Sequence, residues 1–545
     1  MRKTEIKTKK ITRSFDLTAG ITRNPKDPRL GAKRIVNMYV DKSKSPRHLT
    51  NVPGIFGTNP LGGRVNSLAC HRQKGGDMIY VHAGDKIYSV PKQESYKHGK
   101  AKAILDGFEN SSIAIDQEGY LLIFDGRRLF SVNAYGELDL ISFDGDYSPK
   151  CLALFNNRVF LYDEASGGIC YTSDISDGSI LTVIGEAANI KGVKKMLSTP
   201  DRLYLITEGD VRSLKREGEG FIDAESFCGI SCDDGMILDG RLLLLSDRLV
   251  SLPLPLQGGE VRLISDNISD ILSGGGWSFG GVWRGYLVIY RGGEILLCDR
   301  DTIDGEPVWF MMSGVGCHAR DKWVYHYGRY ADPGFDVCPD PQDGFCRGEV
   351  ISCFDENGKE YLYEERDGKK YQVYNRGTRW FGERLPPVAL LATPRLLIFG
   401  TEEGNIGVCA DDVMPNAETF LFDFHYPEIA LELHPDDGGL PSTRKSCLPK
   451  SFNIRLKNTP DEYFEVKVRA DGKEVSAKRF NTPDPTDVFL TEDRDIGEAV
   501  YGEQLFTLPT RARGFYKKQV EITASLRCYP ISISEISYTL EYEKE

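Results

Sequence analysis

The chain is 545 residues long, and 80 Asp/Glu against 68 Lys/Arg give it a net charge of −12. That length allows three or four average domains, or one large repeat domain beside a smaller one; ordinary apolar content argues against extended disorder. A secretory leader is not expected, because no apolar core follows the basic start MRKTEIKTKKITRSF. Nor is a membrane span, since the most apolar stretch, LLLLSDRLVSLPLPL, is interrupted by Ser246, Asp247 and Arg248.

The first 50 residues hold 14 Lys/Arg and only four Asp/Glu, so a basic arm precedes an acidic body. Residues 34–54, RIVNMYVDKSKSPRHLTNVPG, read as a strand, a basic turn and an apolar segment ending at Pro53-Gly54. A basic terminal segment is by default a flexible tail, but RIVNMYV and LTNVPGIFG are apolar enough to demand burial. The partner expected for them is the first repeat of the body or a neighbouring subunit.

Beyond the arm the sequence repeats itself. Short apolar strand pairs around small polar turns begin at Asp77 (DMIYVHAGDKIYSV), Gly119, Arg158, Arg202, Arg241 and Gly285. Their starts are 42, 39, 44, 39 and 44 residues apart, the length of a four-stranded propeller blade. A last copy, RLLIFGTEEGNIGVC, starts at Arg395. Tyr, Ile, Val and Leu in the strands and Gly or Asp at the turns favour β-hairpins over a helical solenoid. Such hairpins are marginal alone and must stack to bury their faces. The expectation is an all-β chain: a β-propeller of about seven blades over residues 61–413, after an arm and docking strand at 1–60.

The interval before the last copy is 110 residues, too long for one blade, and predicts an insertion at 315–386. Inside it, Asn357-Gly358 and Asp367-Gly368 divide ISCFDENGKEYLYEERDGKKYQVY into a three-stranded meander. After a Pro/Gly/Ser-rich connection at 434–451, alternating strands such as YFEVKVRADGKEVSAKRF predict an antiparallel β-sandwich over 414–545.

Catalytic signatures are sparse. The eight histidines form no His-Glu-x-x-His pair, and neither Gly-x-Ser-x-Gly nor a phosphate-binding Gly-x-x-x-x-Gly-Lys-Ser/Thr loop occurs. SDISDGS at 173–179 approaches a sialidase Asp-box but does not keep its Ser-x-Asp-x-Gly order, and reads as a turn. Thirteen cysteines, an odd number, fit buried thiols in a reducing compartment better than a disulfide framework. Cys317, Cys338, Cys346 and Cys353 lack any Cys-x2-Cys pair, so separate reduced thiols are expected instead of a zinc site. No catalytic residue, cofactor or metal site is expected. In TRARGFYKKQVEI, Arg511, Arg513 and Lys517 would share one strand face; solvation or an acidic partner is the ordinary explanation. Sequence-specific reading of nucleic acid lacks any recognition motif.

RIVNMYVDKSKSPRHLTNVPGI resembles the opening of the tail hub, or packaged-DNA stabilisation, proteins of short-tailed phages, and more distantly their tail nozzle proteins. The family's Val-Asn-Met strand falls on Val36, Asn37 and Met38, and its Pro-Gly-Ile on Pro53, Gly54 and Ile55. Later stretches are similar in order, including EILLCDRDTIDGEPVWFMMSG and the closing TRARGFYKKQVEITASLRCYPISISEISYTLEYE. The insertion and the cysteines depart from the family pattern.

This resemblance implies a non-enzymatic virion protein, made in the host cytoplasm, that forms a homo-oligomeric and expectedly hexameric ring. The ring would sit below the portal and adaptor proteins, extend the channel for non-specific passage of double-stranded DNA, retain the genome and meet distal needle or fibre proteins. No membrane insertion is implied. The six motif residues, with Arg511, Arg513 and Lys517, become candidate interface residues, and the arm a hook ordered on assembly. Two other readings stay open: a non-catalytic propeller scaffold for a protein or glycan, and a propeller glycosidase.

Overall fold

The computed structural model describes residues 8–22, 31–43, 47–57, 61–92, 101–409 apart from short loop segments, 423–434, 445–457, 463–481, 503–508, 518–524 and 531–543. Among them the chain is almost entirely β.

Each repeated hairpin is the middle pair of a small antiparallel sheet. Tyr120–Phe124 pairs with Leu129–Val132, Arg202–Thr207 with Val211–Glu217, and Tyr286–Arg291 with Glu294–Asp299. The first of each pair is buried on both faces, which is why YLLIF, RLLLL and YLVIY read as nearly unbroken apolar runs. An inner strand precedes each pair and an outer strand follows.

The inner strands succeed one another around a ring: Val65–Gln73, Ile113–Gln117, Pro149–Phe155, Val193–Ser198, Asp234–Leu238, Ser278–Trp283 and Ala389–Ala392. The seventh lies against the first, so the ring is closed. Separate apolar clusters fill the wedges between neighbouring sheets: Ile398 and Val408 against Val65 and Val81, Leu121 and Ile123 against Tyr80, Leu152 and Leu161 against Leu122. Closed radial stacking of four-stranded sheets is the architecture of a β-propeller.

The seventh blade is composite. Its inner three strands, Ala389–Ala392, Leu397–Gly400 and Ile406–Cys409, come from late in the chain. The fourth is Ile55–Gly57, which pairs Ile55 with Cys409 and Gly57 with Gly407. Residues expected to belong to the arm therefore close the propeller, because the last inner strands need an outer neighbour to satisfy their backbone.

Residues 317–385 form a separate four-stranded sheet. Cys317–Tyr327 and Lys369–Leu385 are its long strands, with Cys317 opposite Leu385 at the base; Val350–Phe354 and Glu360–Arg366 complete it. The C-terminal strands do not stand alone. One sheet holds Lys445–Lys457, Glu503–Leu508 and Ser532–Glu543 together with the N-terminal strands Thr8–Ser14, Met38–Val40 and Leu49–Asn51. The other runs through Ile429–Leu433, Lys518–Ala524, Tyr463–Ala470 and Lys473–Asn481, and is joined to the sixth blade by Ala32–Val36. Val466 and Ile522 of one sheet share a core with Ile533 and Ile536 of the other.

Candidate functional site

The residues singled out in the opening segment converge on one place. Ala32–Val36 is a bridging strand, antiparallel to Ile429–Leu433 on one side and in parallel register with the sixth blade at Val36–Met311 on the other. Asn37 follows with φ of 58°, a left-handed conformation that Asn tolerates better than most residues. Its backbone N–H donates to Met311 at 2.7 Å and its carbonyl accepts from Val52 at 2.8 Å. Its side-chain Oδ1 accepts from the Ser313 N–H at 2.9 Å, while Nδ2 donates to the carbonyls of Ser313 (3.0 Å) and Glu428 (2.7 Å). One side chain thus links the arm, the exit of the sixth blade and the entry to the C-terminal sheets.

Val36, Asn37, Met38 and Ile55 are buried within the chain, as are Pro53 and Gly54. The partner expected for this segment is the first repeat or a neighbouring subunit; within the chain its strands pair with the sixth and seventh blades instead of the first. Arg511, Arg513 and Lys517 lie outside the described residues.

Beside Asn37, Tyr39 lodges against the sixth blade. Its ring lies 5.1 Å from that of Trp283 and edge-on to Tyr286 at 5.9 Å, and the Tyr286 hydroxyl donates to the Val40 carbonyl at 2.6 Å. Burial holds the Tyr286 hydroxyl well above the usual phenol range, so it stays a donor at any ordinary pH. Lys42 reaches the same blade, pairing with Asp299 and, at 2.9 Å, with Asp301, while its ammonium sits 5.0 Å over the Tyr286 ring. The hydrogen bond from Lys42 is the first cause that draws the Asp301 carboxyl below the ordinary carboxylate range. Part of the arm's positive charge is thus met inside the molecule, with Lys33 on Glu432 at 2.8 Å as a second, more exposed pair.

At the other edge of Ile55–Gly57, Asp423–His425 adds a further strand, setting His425 opposite Ile55. The imidazole is buried, and neither ring nitrogen finds a hydrogen-bond partner among the described residues. Burial first, then the charges of Arg384 and His318, lowers its pKa to about 3.

The two faces of the propeller differ. Turns joining the middle strands expose Asp85, Glu164, Glu208, Asp247, Glu402 and Glu403 on one face. The opposite face carries Lys42, Arg284 and Arg395 beside the arm, interleaved with the acids Asp41, Asp239, Asp299 and Asp301. On the inner ring, Asp234 accepts from Lys195 (2.7 Å) and from the Phe279 N–H (2.9 Å), tying three successive blades together.

Asp174 in SDISDGS accepts from the N–H and hydroxyl of Ser176, a turn contact that lowers its pKa. Cys317 is buried in the largest core cluster, and Cys338 Sγ receives a hydrogen bond from Arg366 at 3.3 Å. Among the described residues no cysteine forms a disulfide, and no three His, Cys, Asp or Glu side chains are grouped to hold a metal ion. Burial pushes the Cys151 thiol up to about 12 and that of Cys232 to about 11, which keeps both protonated. Tyr39, Arg284 and Arg395 were missed in the sequence; the signal for Arg284 was an Arg-Gly turn where Asn156-Asn157 and Asp239-Gly240 mark equivalent turns.

No protein-family model matches the chain, and no curated protein matches it. Among solved structures it is similar to BamB from Moraxella catarrhalis, at 12% identity over 65% of this chain and 99% of that one, with a TM-score of 0.33. Virginiamycin B lyase from Staphylococcus aureus is similar at 8% identity over 65% and 98% of the two chains, TM-score 0.33. The WD40 domain of SCAP from fission yeast gives 12% identity over 65% and 94%, TM-score 0.33. These likenesses are loose, and the propeller assignment rests on the closed order and pairing of the strands.

Proposed function

We propose that the chain is a non-catalytic structural subunit of a phage tail, a hub or nozzle ring below the portal and adaptor that lengthens the DNA channel and retains the packaged genome. The observation that carries this reading is the position of the segment that resembles the opening of those proteins. Val36-Asn37-Met38 and Pro53-Gly54-Ile55 are the clasp by which the chain's two ends and its last two blades are fastened together. A subunit loaded by compressed DNA needs both termini fixed, since a free end would let the blade ring unzip from its closing strand. An acidic propeller face also suits a passage along which DNA must slide without being gripped.

Immunogold labelling of particles from the source lysate tests this directly. Gold at a single head vertex or on the short tail supports the reading. A chain found only in the soluble fraction, with unlabelled particles, rejects it.

The second reading is a propeller scaffold that holds a protein or glycan partner. Exposed aromatic residues of the insertion, Phe354 at the end of a strand and Tyr330 in a connection, favour it. It expects a stable monomer, whereas the ring reading expects a closed oligomer, and mass photometry separates the two.

A further inference from the structure

The sheet inserted at 317–385 ends on an undefended edge. Val350–Phe354 is its outermost strand, antiparallel to Glu360–Arg366 in unbroken register from Val350–Glu364 to Phe354–Glu360. In an antiparallel ladder every second residue turns its N–H and C=O away from the neighbour. The outward groups of Val350–Phe354 have no backbone partner among the described residues.

Edge strands are ordinarily blunted by charges, prolines or bulges, because a bare edge templates pairing with another chain. The blades of this molecule follow that rule. The outer strands of the first five carry Lys102, Asp139, Glu186, Asp223 and Arg262. Those of the sixth and seventh are themselves paired, Met311 with Val36 and Ile55–Gly57 with Asp423–His425. The strand VISCF has no charge, no proline and no bulge, and its β-branched and aromatic residues favour an extended chain. Its side chains are open as well: Phe354 is 68% and Ile351 37% exposed, on opposite faces of the sheet.

Both ends of the strand are acidic. Glu349 precedes it, Glu356 follows it and Glu360 lies opposite Phe354, all three exposed. The described cations at those ends are already engaged. Lys359 meets Asp332 at 3.4 Å and lies over the Tyr361 ring, and Arg366 donates to Cys338 Sγ and lies over the Tyr371 ring. A second copy of the same edge is a poor fit. Centred on Ser352, antiparallel self-pairing sets Glu349 against Asp355 at each end, and like charges directly opposite destabilise a ladder.

We infer that Val350–Phe354 is a docking edge for an extended segment of a partner protein, β-branched and uncharged at its centre with a basic residue at each end. The segment adds a fifth strand to the four of the inserted sheet. Main-chain hydrogen bonds supply the affinity, and Ile351 and Phe354 give apolar contact on the two faces. Glu349 at one end, with Glu356 and Glu360 at the other, meets the basic residues. The inference concerns the inserted sheet alone and holds for a ring subunit and for a scaffold.

The test is fluorescence polarisation of the full chain, under reducing conditions, with the labelled peptide Lys-Ile-Thr-Val-Thr-Ile-Lys. Saturable binding is expected. N-methylation of every residue between the two Lys removes the donors on both peptide edges and keeps every side chain, and should weaken binding by at least about tenfold. Exchanging both Lys for Glu should weaken it by about fivefold or more. Ser352→Lys, which blunts the edge with a charge, should cost at least about tenfold. Ser142→Lys on the second blade's outer strand should leave binding intact. Ser352 and Ser142 are both exposed, so circular dichroism should report both variants as folded. No saturable binding to the wild type, equal binding of the N-methylated peptide, preference for the Glu-ended peptide, or equal binding by the Ser352→Lys chain would each overturn the inference. A concentration-dependent dimer abolished by Ser352→Lys would also overturn it, by assigning the edge to a second copy.

Discussion

Asn37 donates from Nδ2 to the carbonyl of Glu428 at 2.7 Å, joining residues 391 positions apart in the sequence. The same amide holds both backbone groups of Ser313 and sits on a left-handed backbone. Asn37→Ala would break three hydrogen bonds, two to the half-buried Ser313 and one to the exposed Glu428, and add conformational strain. The expected loss is about 2–4 kcal/mol. Asn37→Gly should relieve the strain but not restore the bonds, and should fall between the two. Urea midpoints of the three chains measure this; a midpoint for Asn37→Ala equal to wild type would refute the clasp.

Lys42 and Asp299 form a largely buried pair, with side chains 16% and 12% exposed. Lys42→Met removes the cation paired with the Asp299 carboxylate, leaving it the Asp301 N–H, and should cost about 2–3 kcal/mol. Adding Asp299→Asn removes the stranded charge and should recover at least half of that loss. Additive losses in the double-mutant cycle would show the two residues to be uncoupled.

The closing strand Ile55–Gly57 comes from the other end of the chain, so the seventh blade should be completed by a separate piece. A chain lacking residues 1–57 is expected to be destabilised and rapidly cleaved by protease. A synthetic peptide of residues 31–57 should restore protection in a concentration-dependent way. Protease resistance in the truncated chain without peptide would contradict the strand pairing.

His425 should give the protein an acid-sensitive step. Its pKa is near 6.5 unfolded and about 3 in the fold. Between those values the unfolded chain binds a proton that the folded one does not, so stability falls as pH drops through that window. The slope should be on the order of 1 kcal/mol per pH unit. His425→Phe keeps an aromatic side chain and removes the titration. The difference between wild type and variant in urea midpoint should shrink or reverse from pH 7 toward pH 4; a constant difference would exclude the histidine as the cause.

The sheet of residues 317–385 enters and leaves by paired strands, Cys317 opposite Leu385 and His318 opposite Arg384. Replacing 320–382 by a Gly-Ser turn should preserve the propeller, with a melting temperature within about 3 °C of wild type. Loss of cooperative unfolding in that chain would mean the inserted sheet is part of the propeller's own core.

The repeat was legible in the sequence because the strands that carry it are buried on both faces. YLLIF, RLLLL and YLVIY advertise themselves as apolar runs, and their turns by Gly and Asp. The meander of the inserted sheet was equally plain from its two turns. Several inner strands were less plain: Val65–Gln73 and Val193–Ser198 are half exposed and mixed in composition, and pairing with a neighbour makes them strands.

By itself the sequence determined local pairing: which hairpins form, at what spacing, and that an arm with apolar segments must be buried somewhere. Tertiary structure alone decided where. Which edge accepts Ile55–Gly57, which carbonyls Asn37 reaches and which acids meet Lys42 depend on contacts hundreds of residues apart. Such contacts leave no period in the sequence, because their geometry exists only once the ring of blades has closed.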